Sequence, residues 1–187
     1  MSHCSDNAAD RATGALWERK FQLMMVNQGF LVTMHQLRKS GSAIAVTRVS
    51  GNVKAFTLPD ASVWDAPGFD AEIKHKDPTS QNTFGLEEYR LKSLVAFARR
   101  SGRCVQYVVH DYSRCPGGTR ADRKSYPESQ IEHWITADVL DLYSNRTDPR
   151  WGTSYVNGQP KRVPIHYWPT SLWVPVADFL ESYARAA

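Results

Sequence analysis

Cysteine is scarce in this sequence, and long apolar runs are missing from it. The 187 residues include three cysteines, Cys4, Cys104 and Cys115, which are too few and too scattered for a disulfide framework. No apolar run approaches the roughly 20 residues that a membrane-spanning helix needs, so we expect no membrane partner. The first segment, MSHCSDNAADRATG, is polar and lacks the apolar region of a signal peptide. We therefore expect a cytoplasmic protein.

The composition is otherwise that of an ordinary folded domain. Hydrophobic residues make up 42% of the chain and charged residues 22%, which excludes the disordered and collagen-like classes. A chain of this length can bury one hydrophobic core, and no internal repeat or linker divides it. We therefore predict a flexible tail over residues 1–13 and a single domain over 14–187.

Positive charge is concentrated in one part of the chain. The net charge is +4 and the isoelectric point is near 9.0, but nine basic residues and two acidic ones fall between Arg90 and Lys124. Such a cluster is typical of a protein that binds a polyanion, although a solvated surface would also explain it. Our candidate nucleic-acid contacts in this cluster are Arg99, Arg100, Arg103, Arg114, Arg120, Arg123 and Lys124.

Hydrophobic periodicity predicts a mixed α/β domain, in which a central sheet is flanked by helices. Helices are expected from Gly14 to Gly29, from Leu86 to Arg100 and from Val176 to Ala186. Strands are expected at 53–58, 61–64, 69–75 and 104–110, and two more within 30–49, joined by a turn at Ser40-Gly41-Ser42. A mobile loop is expected over 113–128, a strand or short helix near 131–143, and a turn-rich stretch over 144–162.

Two acidic residues and a lysine stand out around the third of these strands. Pro59-Asp60 begins one strand, and Glu72-Ile73-Lys74 lies on the next. Because side chains alternate along a strand, Glu72 and Lys74 point to one face and Ile73 to the other. Carboxylate oxygens suit Mg²⁺, and a lysine beside them can orient water or stabilise charge on a phosphate. The pattern indicates hydrolysis of a phosphodiester.

The position of Asp60 relative to Glu72 depends on the turn between the two strands. A two-residue turn at Pro67-Gly68 would put Asp60 on the face away from Glu72, whereas a connection one residue longer would put it opposite Lys74. The sequence leaves this register open. Asp65 or Asp70 could replace Asp60 as a ligand.

The motif Pro59-Asp60…Glu72-x-Lys74 resembles that of the PD-(D/E)xK nuclease superfamily. The segment GALWERKFQLMMVNQGFLV, which contains Glu18, is similar to the first helix of archaeal-type Holliday junction resolvases and related endonucleases. The segment FGLEEYRLKSLVAFARRSGRCVQYVV resembles the helix and strand that follow their active-site hairpin. The resemblance covers residues 14–111 and implies a restriction-endonuclease-like αβββαβ core, with 112–187 as a C-terminal extension.

The resemblance also implies an activity and roles for individual residues. It implies a metal-dependent DNA endonuclease with Mg²⁺ or Mn²⁺, in which Asp60, Glu72 and the Ile73 carbonyl bind the metal directly. Lys74 would position or activate the attacking water, and Glu18 would reach the metal through water. The alternatives are a restriction- or repair-type endonuclease and a non-catalytic nucleic-acid-binding module on the same fold.

Three further features of the sequence have less defined roles. His75 could contact nucleic acid or pack against the helix layer. Cys104, His110, Cys115 and His133 have spacings that match no zinc-ligand pattern, so no zinc site is expected. The aromatic-rich C-terminal third suits core packing or a dimer interface, and we expect a homodimer that uses part of residues 144–175, since two strands are most simply cut by two copies.

Overall fold

The computed structural model of the protein describes residues 3–35, 44–49, 52–64, 68–156 and 159–185. Its helices are α1 (His3–Asn27), α2 (Glu88–Ser101), α3 (Arg120–Lys124), α4 (Val139–Ser144) and α5 (Val176–Arg185). Its strands are β1 (Val32–Met34), β2 (Ile44–Val49), β3 (Asn52–Thr57), β4 (Ala61–Val63), β5 (Phe69–Lys76), β6 (Thr83–Glu87), β7 (Cys104–Asp111), β8 (Trp134–Asp138), β9 (Arg150–Val156), β10 (Gln159–Pro169) and β11 (Val174–Pro175). Among these residues, no helix is both long and apolar enough to cross a membrane.

A six-stranded sheet with the order β1-β4-β5-β7-β8-β11 forms the centre of the fold. β5 and β7 are parallel, and the other neighbours in this sheet are antiparallel. The elements α1, β1, β4, β5, α2 and β7 follow each other in the order of the expected αβββαβ core. The hairpin β2–β3 and the strand β6, which belongs to a second sheet of order β6-β10-β9, are inserted into that order.

The central sheet has a hydrophobic core on each face. On one face Phe69, Ala71 and Ile73 of β5 pack with Phe21 of α1 and Leu180 of α5. On the other face, side chains of β7 pack with the buried side of α2, which consists of Leu91, Leu94, Val95 and Ala98. Because residues alternate along β5, Glu72 and Lys74 lie on the α2 face.

Most predicted elements are confirmed to within a few residues, and the N-terminal half departs from expectation in two ways. α1 begins at His3 rather than at Gly14, so it includes most of the segment that we interpreted as a tail; Ala8, Ala9 and Ala12 favour the helix there. In the segment 30–49, β1 pairs with β4 and β2 pairs with β3, while the turn predicted at Ser40-Gly41-Ser42 lies outside the described residues.

Two predictions in the C-terminal half are wrong. The segment 113–128 is not only a loop, because it contains α3, which begins with a capping box between Thr119 and Asp122. The segment 144–162 contains β9 and the start of β10, which pair antiparallel. Near 131–143 the chain forms both the strand and the short helix, as β8 and α4.

Candidate active site

Asp60 lies next to Glu72 because the connection between β4 and β5 is longer than a tight turn. Ala61 pairs with Ala71, so continuing the register by one residue puts Asp60 opposite Glu72. Neither of the two registers considered from the sequence is correct, since five residues separate Val63 from Phe69. Beyond the last strand pair, the Ile73 amide donates a hydrogen bond of 2.7 Å to Asp60 Oδ2.

Asp70, one of the two substitutes for Asp60, has a different role. Its buried carboxylate accepts hydrogen bonds from the Ser62 hydroxyl and, at 2.7 Å, from Arg103 Nε. Asp70 therefore neutralises Arg103 near the start of β5. The other substitute, Asp65, lies outside the described residues.

Two cations flank the Asp60–Glu72 pair. Lys74 Nζ lies 2.6 Å from Glu72 Oε1 and 3.9 Å from Asp60 Oδ2. Arg90 Nη2 donates to Glu72 Oε2, lies 3.7 Å from Asp60 Oδ1, and also donates to the Leu58 carbonyl at 3.1 Å. Glu72 itself is only 1% exposed, so Lys74 and Arg90 supply the charge that offsets its burial.

The sequence alone does not single out Arg90 as a site residue. It counts as one of nine clustered basic residues, but its place in α2 is the signal that was missed. Arg90 precedes Leu91 and lies four residues before Leu94, both of which are fully buried. An arginine beside the apolar side of an amphipathic helix needs a buried anionic partner, and Glu72 is that partner.

The carboxylates of the site affect each other's protonation. Burial alone would raise the pKa of Glu72, but Lys74 and Arg90 outweigh it and lower that pKa. Burial, together with repulsion from Glu72, raises the pKa of Asp60. Burial likewise opposes the charge on Lys74, yet the two carboxylates hold its pKa above the ordinary value, so its amine is a cation at neutral pH.

Glu18 joins this cluster electrostatically from α1. Burial and the charge of Asp60 raise the pKa of Glu18 to about 7, while Lys74 lowers it. Within the part of the chain that the structure describes, Glu18 does not form a three-ligand group with Asp60 and Glu72; the one such group is His110, Cys115 and His133. All four residues predicted as catalytic are therefore brought together, with Glu18 further out.

His75 lies on the face of β5 opposite to Lys74 and packs against α1. Its ring stacks on Trp17 with centroids 4.1 Å apart. Its Nδ1 lies 3.0 Å from His110 Nδ1, and its Nε2 lies 3.2 Å from the Lys124 carbonyl oxygen. Of the two roles that the sequence leaves open, packing is the one observed.

Several of the predicted nucleic-acid contacts have partners within the protein. Arg103 binds Asp70 and the Val63 carbonyl, Arg114 lies 3.4 Å from Asp111, and the Arg99 guanidinium lies over the Tyr143 ring. Arg123 donates to the Gly117 carbonyl. Arg100 and Lys124 are exposed. Arg103 is thus held in the fold rather than presented to a ligand, because its carboxylate partner is buried.

Arg120 and Lys124 attach α3 to the end of β5. Arg120 forms two hydrogen bonds with Asp77, at 2.7 and 2.8 Å, and the Lys124 carbonyl accepts from His75. Asp77 and His75 follow closely on Lys74. The segment 113–128 is therefore adjacent to the end of the strand that carries the candidate site.

No protein-family model matches this sequence, and no curated protein matches it. A solved structure does: Hjc, a Holliday junction resolvase from the archaeal hyperthermophile Archaeoglobus fulgidus. The two chains superpose with a TM-score of 0.50, the match covers 89% of this chain and 98% of that chain, and the sequences are 16% identical. At this identity the match establishes a shared fold, so the chain has the mixed sheet flanked by helices that is also found in this resolvase.

Proposed function

We propose that the protein is a metal-dependent endonuclease that hydrolyses phosphodiester bonds in DNA. The observation that carries this proposal is the meeting of Asp60 and Glu72 on one face of adjacent strands, with Lys74 bonded to Glu72 at 2.6 Å. The fold shared with a Holliday junction resolvase supports a structure-specific activity on branched DNA. A restriction- or repair-type endonuclease is the alternative within the same chemistry.

The donor set fits Mg²⁺ or Mn²⁺, because these ions prefer oxygen ligands and take one or two carboxylates. Asp60 and Glu72 supply the carboxylates. The Ile73 amide points toward Asp60, and since the N–H and C=O of a strand residue face the same neighbour, its carbonyl faces the same side. The raised pKa values of Asp60 and Glu18 reflect crowded negative charge, which a divalent cation would relieve. When bound, the metal would polarise a phosphoryl oxygen and acidify its water.

The residues of the chain have separate tasks in this proposal. Lys74 is a cation, so it orients the attacking water and stabilises charge on the phosphate rather than removing a proton. Arg90 holds the Glu72 carboxylate in place through a charge-assisted hydrogen bond. Glu18, with a pKa of about 7, can hold or release a proton near neutral pH and contacts the site through water.

DNA on either side of the scissile phosphate would meet the basic residues that follow β7. The attachment of α3 to Asp77 and His75 supports this, because it brings Arg120 and Lys124 near the end of β5. Arg114, Arg123 and the exposed Arg100 extend the same charge. Arginine and lysine contacts to phosphates position a duplex without reading its sequence.

We further propose that the protein acts as a homodimer. Of the aromatic residues in the C-terminal third, Trp168 and Trp173 belong to the core, whereas Trp151 on β9 is 66% exposed. β9 is an outer strand of its sheet, and exposed aromatic residues are enriched in interfaces. Light scattering at micromolar concentration should give the mass of a dimer, and Trp151→Glu should shift it toward monomer. A monomeric mass for the wild-type protein, both with and without DNA, contradicts the dimer.

A panel of end-labelled DNAs tests the proposed activity. Duplex, single strand, flap and four-way junction are each incubated with the protein in Mg²⁺, in Mn²⁺ and in EDTA. We expect cleavage in the presence of either metal and none in EDTA, with the four-way junction cut fastest. Binding to these DNAs without cleavage under any condition would favour the non-catalytic module.

A further inference from the structure

His110, Cys115 and His133 form a second cluster, apart from the carboxylates. Their ligand atoms all lie within 4.8 Å of one another, although the residues come from β7, the turn after it and the turn before β8. All three are buried, with exposed fractions of 0% for His110, 4% for Cys115 and 4% for His133. We propose that these three residues bind a zinc-class divalent transition metal.

The hydrogen bonds of His75 leave one nitrogen of His110 available as a ligand. The Lys124 carbonyl can only accept, so His75 Nε2, 3.2 Å away, carries a proton. For a neutral His75 ring, Nδ1 is then an acceptor, and His110 Nδ1 donates to it at 3.0 Å. His110 Nε2 therefore has a free lone pair, and it lies 4.0 Å from Cys115 Sγ. Metal-bound histidines are held in this way by a partner at the other ring nitrogen.

His133 supplies an independent sign that a partner is absent. Its Nδ1 is buried and has no hydrogen-bond partner among the described residues. Buried polar atoms are nearly always bonded, so an imidazole nitrogen left unbonded beside a thiol and a second imidazole points to a ligand. A metal ion would satisfy His133 and His110 at once.

The chemistry of the three ligands selects the metal. One thiolate and two neutral imidazoles suit Zn²⁺ and its Co²⁺ substitute, and three protein ligands leave a fourth position for water. In a tetrahedral zinc site, ligand atoms are roughly 3.3–3.6 Å apart, as follows from the metal–ligand bond lengths. The Sγ–Nε2 separation of 4.0 Å needs to close by only a few tenths of an ångström.

Binding requires the Cys115 thiol to lose its proton, which passes to solvent as the sulfur–metal bond forms. Burial and the charge of Asp111 raise the pKa of this thiol, while the Lys20 ammonium lowers it. The metal offsets the cost of burying a thiolate. Its structural effect would be to join the end of β7 to the start of β8 and, through His75, to α3.

Titration of untagged, metal-free protein with Co²⁺ tests the site directly. We expect equimolar binding, a thiolate-to-cobalt charge-transfer band and the intense visible bands of tetrahedral Co²⁺, all displaced by Zn²⁺. Cys115→Ser should abolish the charge-transfer band, and both Cys115→Ser and His133→Gln should weaken binding at least about tenfold. Cys104→Ser is the matched control, because Cys104 is a free cysteine that bonds to Gln106 and Asp138, and it should leave the spectrum unchanged.

Three outcomes would overturn this site. They are the absence of binding by the wild-type protein at micromolar Co²⁺, a loss of binding in Cys104→Ser equal to that in Cys115→Ser, and a spectrum without sulfur charge transfer. Circular dichroism of each metal-free variant separates loss of ligand from loss of fold, and His133→Gln provides a second test if Cys115→Ser is unstable. The titration does not depend on DNA cleavage, so its failure leaves the proposed nuclease activity unaffected.

Discussion

Replacing Arg90 with glutamine should destabilise the protein by an amount typical of a broken buried ion pair. Arg90 donates to Glu72 and to the Leu58 carbonyl and lies 3.7 Å from Asp60. The Glu72 side chain is 1% exposed and that of Arg90 is 12% exposed. Breaking such a pair by removing one partner costs about 3–5 kcal/mol. Since Lys74 still neutralises Glu72 in the variant, we expect the lower end, about 3 kcal/mol.

Thermal and urea unfolding measure this loss. For a domain of this size, about 3 kcal/mol corresponds to a decrease in Tm of about 6–12 °C. Arg99→Gln is the matched control on the same helix, because Arg99 is exposed and its guanidinium lies over the Tyr143 ring at 5.3 Å. Its loss should cost no more than about 1 kcal/mol.

A double variant identifies the cause of the loss. If the cost of Arg90→Gln comes from an uncompensated Glu72 charge, adding Glu72→Gln should recover part of it, and a double-mutant cycle gives the coupling. Mg²⁺ should also stabilise Arg90→Gln more than it stabilises the wild-type protein. Equal stability of Arg90→Gln and Arg99→Gln would refute the counter-ion role of Arg90.

Three further predictions concern the site and the DNA contacts. Without metal, the unfolding free energy should fall as pH rises through 7, because the folded pKa of Glu18 is about 7 against an ordinary 4.5 and its stabilising neutral form is then lost; urea unfolding of Glu18→Gln should show a smaller fall. Lys74→Met should slow cleavage by about 10²-fold or more and leave DNA affinity nearly unchanged, and a collapse of binding in a filter assay would make Lys74 a phosphate contact instead. A triple alanine variant of the α3 basic residues should make the slope of log K against log salt shallower by about 0.9 for each phosphate that the variant no longer neutralises, whereas an unchanged slope contradicts a DNA-binding role for α3. The substituted residues are Arg120, Arg123 and Lys124.

Local rules predict the parts of the site that lie within one strand. Alternation along β5 puts Glu72 and Lys74 on the same face, and the sequence was sufficient for that. The position of Asp60 depends on the length of the connection after Val63, which no local rule determines. Arg90 depends on how α2 docks on the sheet, which is a tertiary property.

The missed hairpin of β9 and β10 has a specific physical reason. Pro160 and Pro164 made the stretch look like turns, since proline lacks the amide proton that a strand needs. In the structure β10 pairs with β9 over 159–165 and with β6 over 165–169. Both prolines therefore lie where β10 has only one neighbour, and their missing donors can face the unpaired side.

The His110–Cys115–His133 cluster was excluded for a related reason. Zinc motifs are recognised by short spacings within one or two turns of chain. These three residues come from a strand and two separate turns that meet only because β7 and β8 are neighbours. Spacing along the chain carries no information about such a cluster.

The rate of cleavage by Asp60→Asn tests the central claim most directly. The raised pKa of Asp60 means that the fold already favours a neutral side chain there, so asparagine should leave the protein folded while it removes a proposed metal ligand. Glu88→Gln is the control, since Glu88 is paired with Lys92 on the surface of α2. Under single turnover in Mg²⁺, on the DNA that the wild-type protein cuts fastest, we predict a loss of about 10²-fold or more for Asp60→Asn and wild-type rates for Glu88→Gln. Cleavage by folded Asp60→Asn at the wild-type rate would contradict the assignment of the active site.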